Sequence, residues 1–229
     1  PSTGLPTRTM QGDILKNAVL SHGDTRHPVL FPSSPEECFT MAQDAFDLAE
    51  LFQTPVFVNT DLDLGMNNWM SDPFDYPTDP IRRGKVLTKE DLDRLGGFGR
   101  YKDVDGDGVP YRTLPGTAHP AAAYFTRGSG HNEKAQYTER EDDYMNNVDR
   151  LVRKFESMRT EVPPPEIVDN RAARSALLCC GTSRYAAEES RDQLRREYGI
   201  ETAYLRVKAY PFSKEVADFI ARYDRVYVI

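Results

Sequence analysis

An arginine presented on a stiff loop is the first feature of this sequence with an evident chemical use. Pro1-Ser-Thr-Gly-Leu-Pro-Thr-Arg8, continued by Thr9-Met-Gln-Gly-Asp13, sets Gly and Pro among hydroxyls and delivers one guanidinium beside helix-forming residues. A planar guanidinium grips a carboxylate through two parallel hydrogen bonds, so such a loop suits a carboxylate ligand. Spacing alone also describes a helix cap with a solvated arginine, which is the plainer reading of these residues by themselves. The second feature is Asp103-Val-Asp-Gly-Asp-Gly108. Carboxylates at alternate positions followed by Gly form the front half of a calcium loop, with Asp103, Asp105 and Asp107 as candidate ligands. An EF-hand then needs Glu at its twelfth position, where this chain has Leu114. The flanks Phe98-Gly-Arg-Tyr101 and Val109-Pro-Tyr111 are not helical in pattern either, so a turn rich in Asp and Gly competes with a metal site.

Three weaker candidates complete the set. His119 and His131 have no partner at ligand spacing and are expected to act as loop hydrogen-bonders. Gly181-Thr-Ser-Arg184 follows a strand pattern and opens a helix, where backbone amides can hold an anion. It lacks the Gly-x-Gly-x-x-Gly fingerprint of a dinucleotide site, and a strand-to-helix turn is expected. Cys38, Cys179 and Cys180 are too few for a disulfide framework, or for an iron–sulfur cluster, which takes about four thiolates. Buried apolar packing in a reducing cytoplasm is their expected role.

The elements that would position these groups are α/β throughout. Val29-Leu-Phe31 is a short apolar run. Ser34-Pro35-Glu36-Glu37 then reads as a helix start, with Ser34 as cap and Glu37 placed to close a capping box, and Phe39, Ala42, Phe46, Ala49 and Phe52 form one apolar face. Pro55-Val-Phe-Val-Asn-Thr60 is the next strand, and strand–helix–strand at this length predicts a parallel crossover. Residues 65–137 are dense in Gly, Pro, Asp and Asn, apart from a short helix capped by Thr88 and stopped by Gly96-Gly97. A long irregular stretch of this kind usually packs against something. From Glu139 a helix is predicted with Tyr144, Val148, Leu151, Val152, Phe155 and Met158 on its apolar side, ended by Pro163-Pro-Pro165.

Beyond the prolines, strands at 175–180, 202–207 and 226–229 alternate with helices at 185–198 and 213–223. This predicts a second parallel sheet covered on both faces. The domains expected are therefore residues 1–162 and 163–229. Both ends are abrupt, and a sheet stopping at Ile229 would leave an apolar edge, so a segment of a longer polypeptide is expected.

Composition narrows the classes. Hydrophobic residues make up 39% of the 229 and charged residues 28%, which is ordinary for a globular protein. The net charge is −7, against a general nucleic-acid binder. No run reaches the ~20 apolar residues of a membrane span.

Several blocks together resemble one family. Pro1 through Asp13, Ser21-His-Gly-Asp24, Pro32-Ser-Ser-Pro-Glu-Glu-Cys-Phe39, Gln53-Thr-Pro-Val56, Asp61-Leu-Asp-Leu-Gly65, Leu114-Pro-Gly-Thr117 and Gly128-Ser-Gly-His-Asn-Glu133 are similar, in this order, to 2-oxoacid:acceptor (ferredoxin) oxidoreductase alpha subunits, most of all the 2-oxoglutarate type. The resemblance implies the remainder of a pyrimidine-side thiamine-diphosphate domain in 1–162, with its long irregular insert, and an incomplete transketolase C-terminal-like domain in 163–229. It implies that Arg8, with Thr7 and Thr9 beside it, binds the C1 carboxylate of the 2-oxoacid. Thiamine diphosphate and Mg²⁺ would be shared with a beta subunit, an iron–sulfur cluster would sit in a partner subunit, and ferredoxin or a similar acceptor and coenzyme A would complete the reaction. The family's upstream Tyr-Pro-Ile-Thr-Pro loop and its pyrimidine-binding Glu have no counterpart here. Two other readings stay open: a transketolase or 2-oxoacid dehydrogenase component with the same domain pair, and a non-catalytic module binding Ca²⁺ or another divalent ion at the acidic loop.

Overall fold

A computed structural model describes residues 12–21, 23–126 and 130–229. Its first unit starts with α1 (Gly12–Ala18), β1 (Val29–Leu30), α2 (Pro35–Phe52), β2 (Phe57–Val58) and α3 (Leu62–Met66). Ser34 caps α2 as its sequence prescribes, its side chain accepting from the Glu37 amide with Pro35 in the first turn. β1 and β2 pair in parallel, Val29 opposite Phe57, as a crossover through α2 requires. The irregular stretch follows. It carries α4 (Lys89–Leu95), opened by a complete Thr88–Asp91 capping box and closed by Gly96 at φ +68°, and a 3-10 turn at Pro120–Ala122.

The second unit comprises α5 (Glu141–Met158), β3 (Glu166–Val168), β4 (Ser175–Cys180), α6 (Ser183–Tyr198), β5 (Thr202–Val207), β6 (Ala209–Tyr210), α7 (Lys214–Arg222) and β7 (Arg225–Val228). β5, β4 and β7 are parallel, with Ser175 opposite Thr202 and Arg225. Neither sheet is purely parallel, which corrects the expected pair of parallel sheets. β3 runs antiparallel along β5, and β6 runs antiparallel along β1, giving sheet orders β3-β5-β4-β7 and β2-β1-β6. Both added strands are two or three residues long and lie at a sheet edge. Such positions need no crossover helix, and no periodicity develops over so few residues. Through β6 the chain beyond residue 163 returns to the first sheet, the Phe31 amide donating to the Lys208 carbonyl at 2.8 Å.

Two helices bury a face that only partly overlaps the one their apolar residues describe, sharing Phe52 on α2 and Phe155 and Met158 on α5. On α2 the buried residues are Met41, Leu48 and Phe52, while Phe46 is 68% exposed. On α5 they are Arg150, Lys154, Phe155 and Met158, while Tyr144 and Val152 are exposed. The cause on α5 is the acidic loop, which lies along the helix. Gly108 accepts from Arg150 Nη1 at 3.1 Å, Ser157 Oγ donates to the Asp107 carbonyl at 2.8 Å, and Arg153 Nε donates to Asp103 at 2.9 Å. Contacts of this kind are made only when the loop folds back, so a helical-wheel reading of α5 misses them. The irregular stretch thus packs as expected, joined also by Leu87, Leu92 and Val109, which are buried.

One core joins β1 to the second sheet: Val29 and Phe31 pack with Ala176, Ala203, Leu205, Val207, Val216, Phe219 and Tyr223. A second lies between α2 and α5, around Leu30, Met41, Leu48, Phe52, Val109, Phe155 and Met158. Among the described residues no helix is long and apolar enough to cross a membrane.

Candidate functional site

In open α/β sheets the carboxyl ends of the strands form the crevice in which ligands bind. Here the ends of β1, β2 and β4 converge, and their polar groups are engaged with one another. Arg206, next to the last residue of β5, is fully buried. Its Nη2 lies 2.6 Å from both carboxylate oxygens of Glu37 in the first turn of α2, and its Nη1 donates to Ser33 Oγ at 2.7 Å. Ser33 in turn donates its amide and hydroxyl to Glu37, each at 2.9 Å, while Lys208 Nζ lies 3.3 Å from Glu37 and Glu166 lies 3.4 Å from Arg206 Nη1. Burial alone would raise the Glu37 carboxyl. The bonds from Arg206 and Ser33 outweigh it and bring the group down to about 2. Glu37 therefore closes on Ser33 and Arg206 rather than on the Ser34 amide, as a capping box would have required.

The second junction uses Asp61, the cap of α3. One carboxylate oxygen accepts from the Leu64 amide at 3.0 Å. The other accepts from the Thr182 amide at 2.8 Å and from Thr182 Oγ1 at 2.7 Å. The turn at Gly181-Thr-Ser-Arg184 does hold an anion, and the anion is the chain's own aspartate. Gly181 has φ +59°, and a Cβ there would stand 2.8 Å from Asp61 Oδ2, so the approach is open to glycine alone.

At the acidic loop, Lys85 Nζ lies 2.6 Å from Asp105, 2.7 Å from Asp107 and 3.0 Å from the Val109 carbonyl. Asp103 accepts the Gly106 amide at 2.9 Å and pairs with Arg153. Two cations thus face the three carboxylates. Among the described residues no three Asp, Glu, His or Cys side chains are grouped to hold a metal. His119 Nδ1 accepts the Ala121 amide at 3.0 Å, and His131 stacks on Tyr101 at 3.9 Å between ring centroids, so both serve in loop packing. Cys179 is buried while Cys38 and Cys180 are half-buried, and burial pushes all three thiols up.

Arg8, Thr7 and Thr9 lie outside the described residues. The groups that sequence reading missed are Ser33, Asp61, Lys85, Arg150, Lys154 and Arg206. One carried a signal: Arg206 interrupts the apolar run Thr202-Ala-Tyr-Leu-Arg-Val207, and a buried charge requires a partner. Glu37 and Asp61, the carboxylates at these strand ends, are both satisfied within the chain. Neither carboxylate is therefore free to hold a cofactor or metal.

Comparison with known proteins agrees with this frame. Residues 1–79 match the family described as "Pyruvate flavodoxin/ferredoxin oxidoreductase, thiamine diP-bdg". Subunit alpha of 2-oxoacid:ferredoxin oxidoreductase 2 from Aeropyrum pernix is 33% identical over 220 residues, which are 93% of this chain and 32% of that protein. The 2-oxoglutarate synthase subunit KorA of Methanocaldococcus jannaschii is 26% identical, over 94% of this chain and 56% of that protein. Among solved structures, the 2-oxoglutarate:ferredoxin oxidoreductase from Magnetococcus marinus, with 2-oxoglutarate, coenzyme A and succinyl-CoA bound, superposes with a TM-score of 0.83 at 26% identity. The superposition covers 100% of this chain and 39% of that one. This chain spans about a third of the length of the first of these relatives. Across its length it is similar to the alpha subunits of 2-oxoacid:ferredoxin oxidoreductases.

Proposed function

We propose that this chain works within the alpha subunit of a cytoplasmic enzyme that oxidatively decarboxylates a 2-oxoacid, 2-oxoglutarate first among them, and yields an acyl-CoA. The observation that carries the proposal is the agreement of the whole chain with an enzyme that binds 2-oxoglutarate, coenzyme A and succinyl-CoA. In this reading residues 1–162 are the later part of a pyrimidine-side domain and residues 163–229 belong to a transketolase C-terminal-like domain. Thiamine diphosphate, when bound, supplies the carbanion chemistry. The task of this chain is to position the substrate: Arg8 grips the C1 carboxylate, with the Thr7 and Thr9 hydroxyls beside it. An arginine in a dry pocket attracts a carboxylate far more strongly than one in water. The Glu37–Arg206 and Asp61–Thr182 junctions hold the surrounding strand ends rigid. Mg²⁺ and the iron–sulfur cluster fall to a beta subunit or another partner, and ferredoxin or a similar acceptor takes the electrons.

The test is Arg8→Lys in the assembled complex. Lysine keeps the charge and loses the second hydrogen bond. A charge-assisted bond is worth about 1.5–3 kcal/mol, so kcat/KM for the 2-oxoacid should fall roughly 10- to 100-fold. Bound thiamine diphosphate should be retained. Kinetics like those of the parent, or loss of the cofactor in place of substrate affinity, would remove Arg8 from the carboxylate.

For Asp103, Asp105 and Asp107 we infer a structural turn rather than a calcium loop. What supports this is the Lys85 ammonium lying between two of the carboxylates. A ligand that binds only the folded form must raise its stability. Calcium should therefore leave the melting temperature unchanged in both the parent and Asp105→Asn. A rise in the parent that is lost in the variant would restore the metal site.

A further inference from the structure

Helix α5 carries two cations on its buried side that the proposed activity does not use. Arg150 and Lys154 stand one turn apart, each only 7% exposed. The acidic loop covers them: a Cβ at Gly108, where φ is +79°, would run into the Lys154 amide and the Arg150 carbonyl. Tyr101 packs beside them, its ring centroid 5.7 Å from the Arg150 guanidinium and 5.0 Å from that of Arg100. Arg150 also lines a cavity of about 590 Å³ with Tyr101 and Asn147, so solvent comes within one helical turn of Lys154.

Neither charge is neutralised, although a buried charge is costly unless a counter-ion meets it. Arg150 Nη1 donates to the Gly108 carbonyl at 3.1 Å, but its Nε is buried without an acceptor among the described residues. Asp103, whose charge reaches Arg150, is taken by Arg153 at 2.9 Å. Lys154 has no ion pair and donates no hydrogen bond among the described residues. The charges facing it are Arg150 on its own helix, Arg100 from the irregular stretch and His27 from the segment before β1, and none is an acid. Burial first, then Arg150 and Arg100, bring the Lys154 ammonium down to about 8. A lysine desolvated beside other cations is a nucleophile. Its reaction partner must be small and uncharged to reach it, and must become an anion there to satisfy Arg150. Carbon dioxide meets both conditions.

We propose that Lys154 is a carbamylation site, its amine taking up CO2 to form a carbamate whose carboxylate pairs with Arg150. The amine lone pair forms the N–C bond, one C=O π pair becomes the carboxylate charge, and the ammonium proton passes to solvent. Nothing is oxidised or reduced. Two unpaired cations thereby become an ion pair beneath the acidic loop. The proposed decarboxylation releases CO2, so the source of the gas rests on that reading, whereas the chemistry of Lys154 does not.

The experiment is ¹³C NMR of the assembled complex, its lysines labelled with ¹⁵N, in ¹³C-bicarbonate buffer. A carbamate carbon is split by its own nitrogen, whereas free or bound bicarbonate is not. One split signal is expected. It should grow as pH rises through about 8 at fixed dissolved CO2, since freeing the amine and forming the carbamate each release a proton. Lys154→Met should abolish the signal and still fold, because it removes a buried charge that has no counter-ion. Arg150→Met keeps the lysine but loses a charge-assisted contact, so CO2 uptake should weaken about 10-fold. Lys214→Met, on an exposed lysine of α7, should leave the signal as in the parent. Bicarbonate should also raise the melting temperature of the parent and not of Lys154→Met. A split signal that survives in Lys154→Met would overturn the site, as would an unsplit signal alone or none. After turnover with the 2-oxoacid and coenzyme A, peptide mass spectrometry should find Lys154 unmodified, because acid digestion releases a carbamate. An acyl group there would replace the carbamate by acylation and defeat the proposal. A complex that forms the carbamate from added bicarbonate but releases no CO2 from 2-oxoglutarate defeats the oxidoreductase reading and leaves Lys154 standing.

Discussion

Arg206 is the residue on which the junction of the two sheets depends, because a fully buried guanidinium tolerates no loss of its partner. Removing one member of such a pair costs about 3–5 kcal/mol, whereas replacing both by apolar groups is often close to neutral. Glu37→Gln should therefore lower unfolding free energy by about 3 kcal/mol or more, and Glu37→Leu with Arg206→Met should lower it by much less. The pair also has an acid signature. The Glu37 carboxyl is held at about 2, below its ordinary 4.5. Its stabilisation is thus complete above pH 4.5 and is lost as pH falls toward 2. Denaturant midpoints measured across that window should drop more steeply for the parent than for Glu37→Gln. Parallel pH profiles would mean that the carboxylate is not what holds Arg206. None of this pairing was legible from spacing, since Glu37 and Arg206 are 169 residues apart.

At the scale of elements, the turn between β4 and α6 shows how one glycine admits a contact between distant parts of the chain. Gly181→Ala would put a Cβ 2.8 Å from the Asp61 carboxylate at a φ of +59°. Gly199, the C-cap of α6, has φ +65° with nothing within 4 Å of its own Cβ position. The left-handed conformation alone costs a non-glycine residue about 1–2 kcal/mol. Gly199→Ala should lose about that much. Gly181→Ala should lose more, by about 1.5–3 kcal/mol for the displaced charge-assisted bonds to Thr182. Equal losses in urea unfolding would show that the Asp61 contact contributes nothing. The turn itself was readable from Gly-Thr-Ser after an apolar strand, whereas its anion was not. Helix starts fared better, because Ser34 and Thr88 cap through residues three positions away.

At the scale of the molecule, one apolar core runs from β1 through β4, β5 and α7, and β6 stitches the later chain to the first sheet. The units expected as 1–162 and 163–229 should therefore melt together. Purified alone, the chain is expected to unfold in one calorimetric transition whose van't Hoff and calorimetric enthalpies agree. In the proposed division of labour, where Mg²⁺ and the iron–sulfur cluster fall to a partner subunit, it should not reduce a viologen dye with 2-oxoglutarate, three cysteines being too few for a cluster. Two separated transitions would mean that the shared core does not couple the units, and turnover by the isolated chain would sink the division of labour with a beta subunit.

The sequence by itself determined whatever depends on neighbours a few residues apart. That covers the parallel crossover through α2, the capped starts of α2 and α4, the elements β4, α6, β5, α7 and β7, and the family likeness carried by its blocks. Tertiary structure alone decided how far the buried faces of α2 and α5 turn away from their apolar stripes. It also decided that Lys85 and Arg153 meet the acidic loop, that Asp61 fills the turn after β4, and that β3 and β6 join the sheets antiparallel. The physical reason is common to all of these. Periodicity and capping are local consequences of backbone geometry, whereas the partner of a charge or of a short edge strand is chosen by what the folded chain brings beside it.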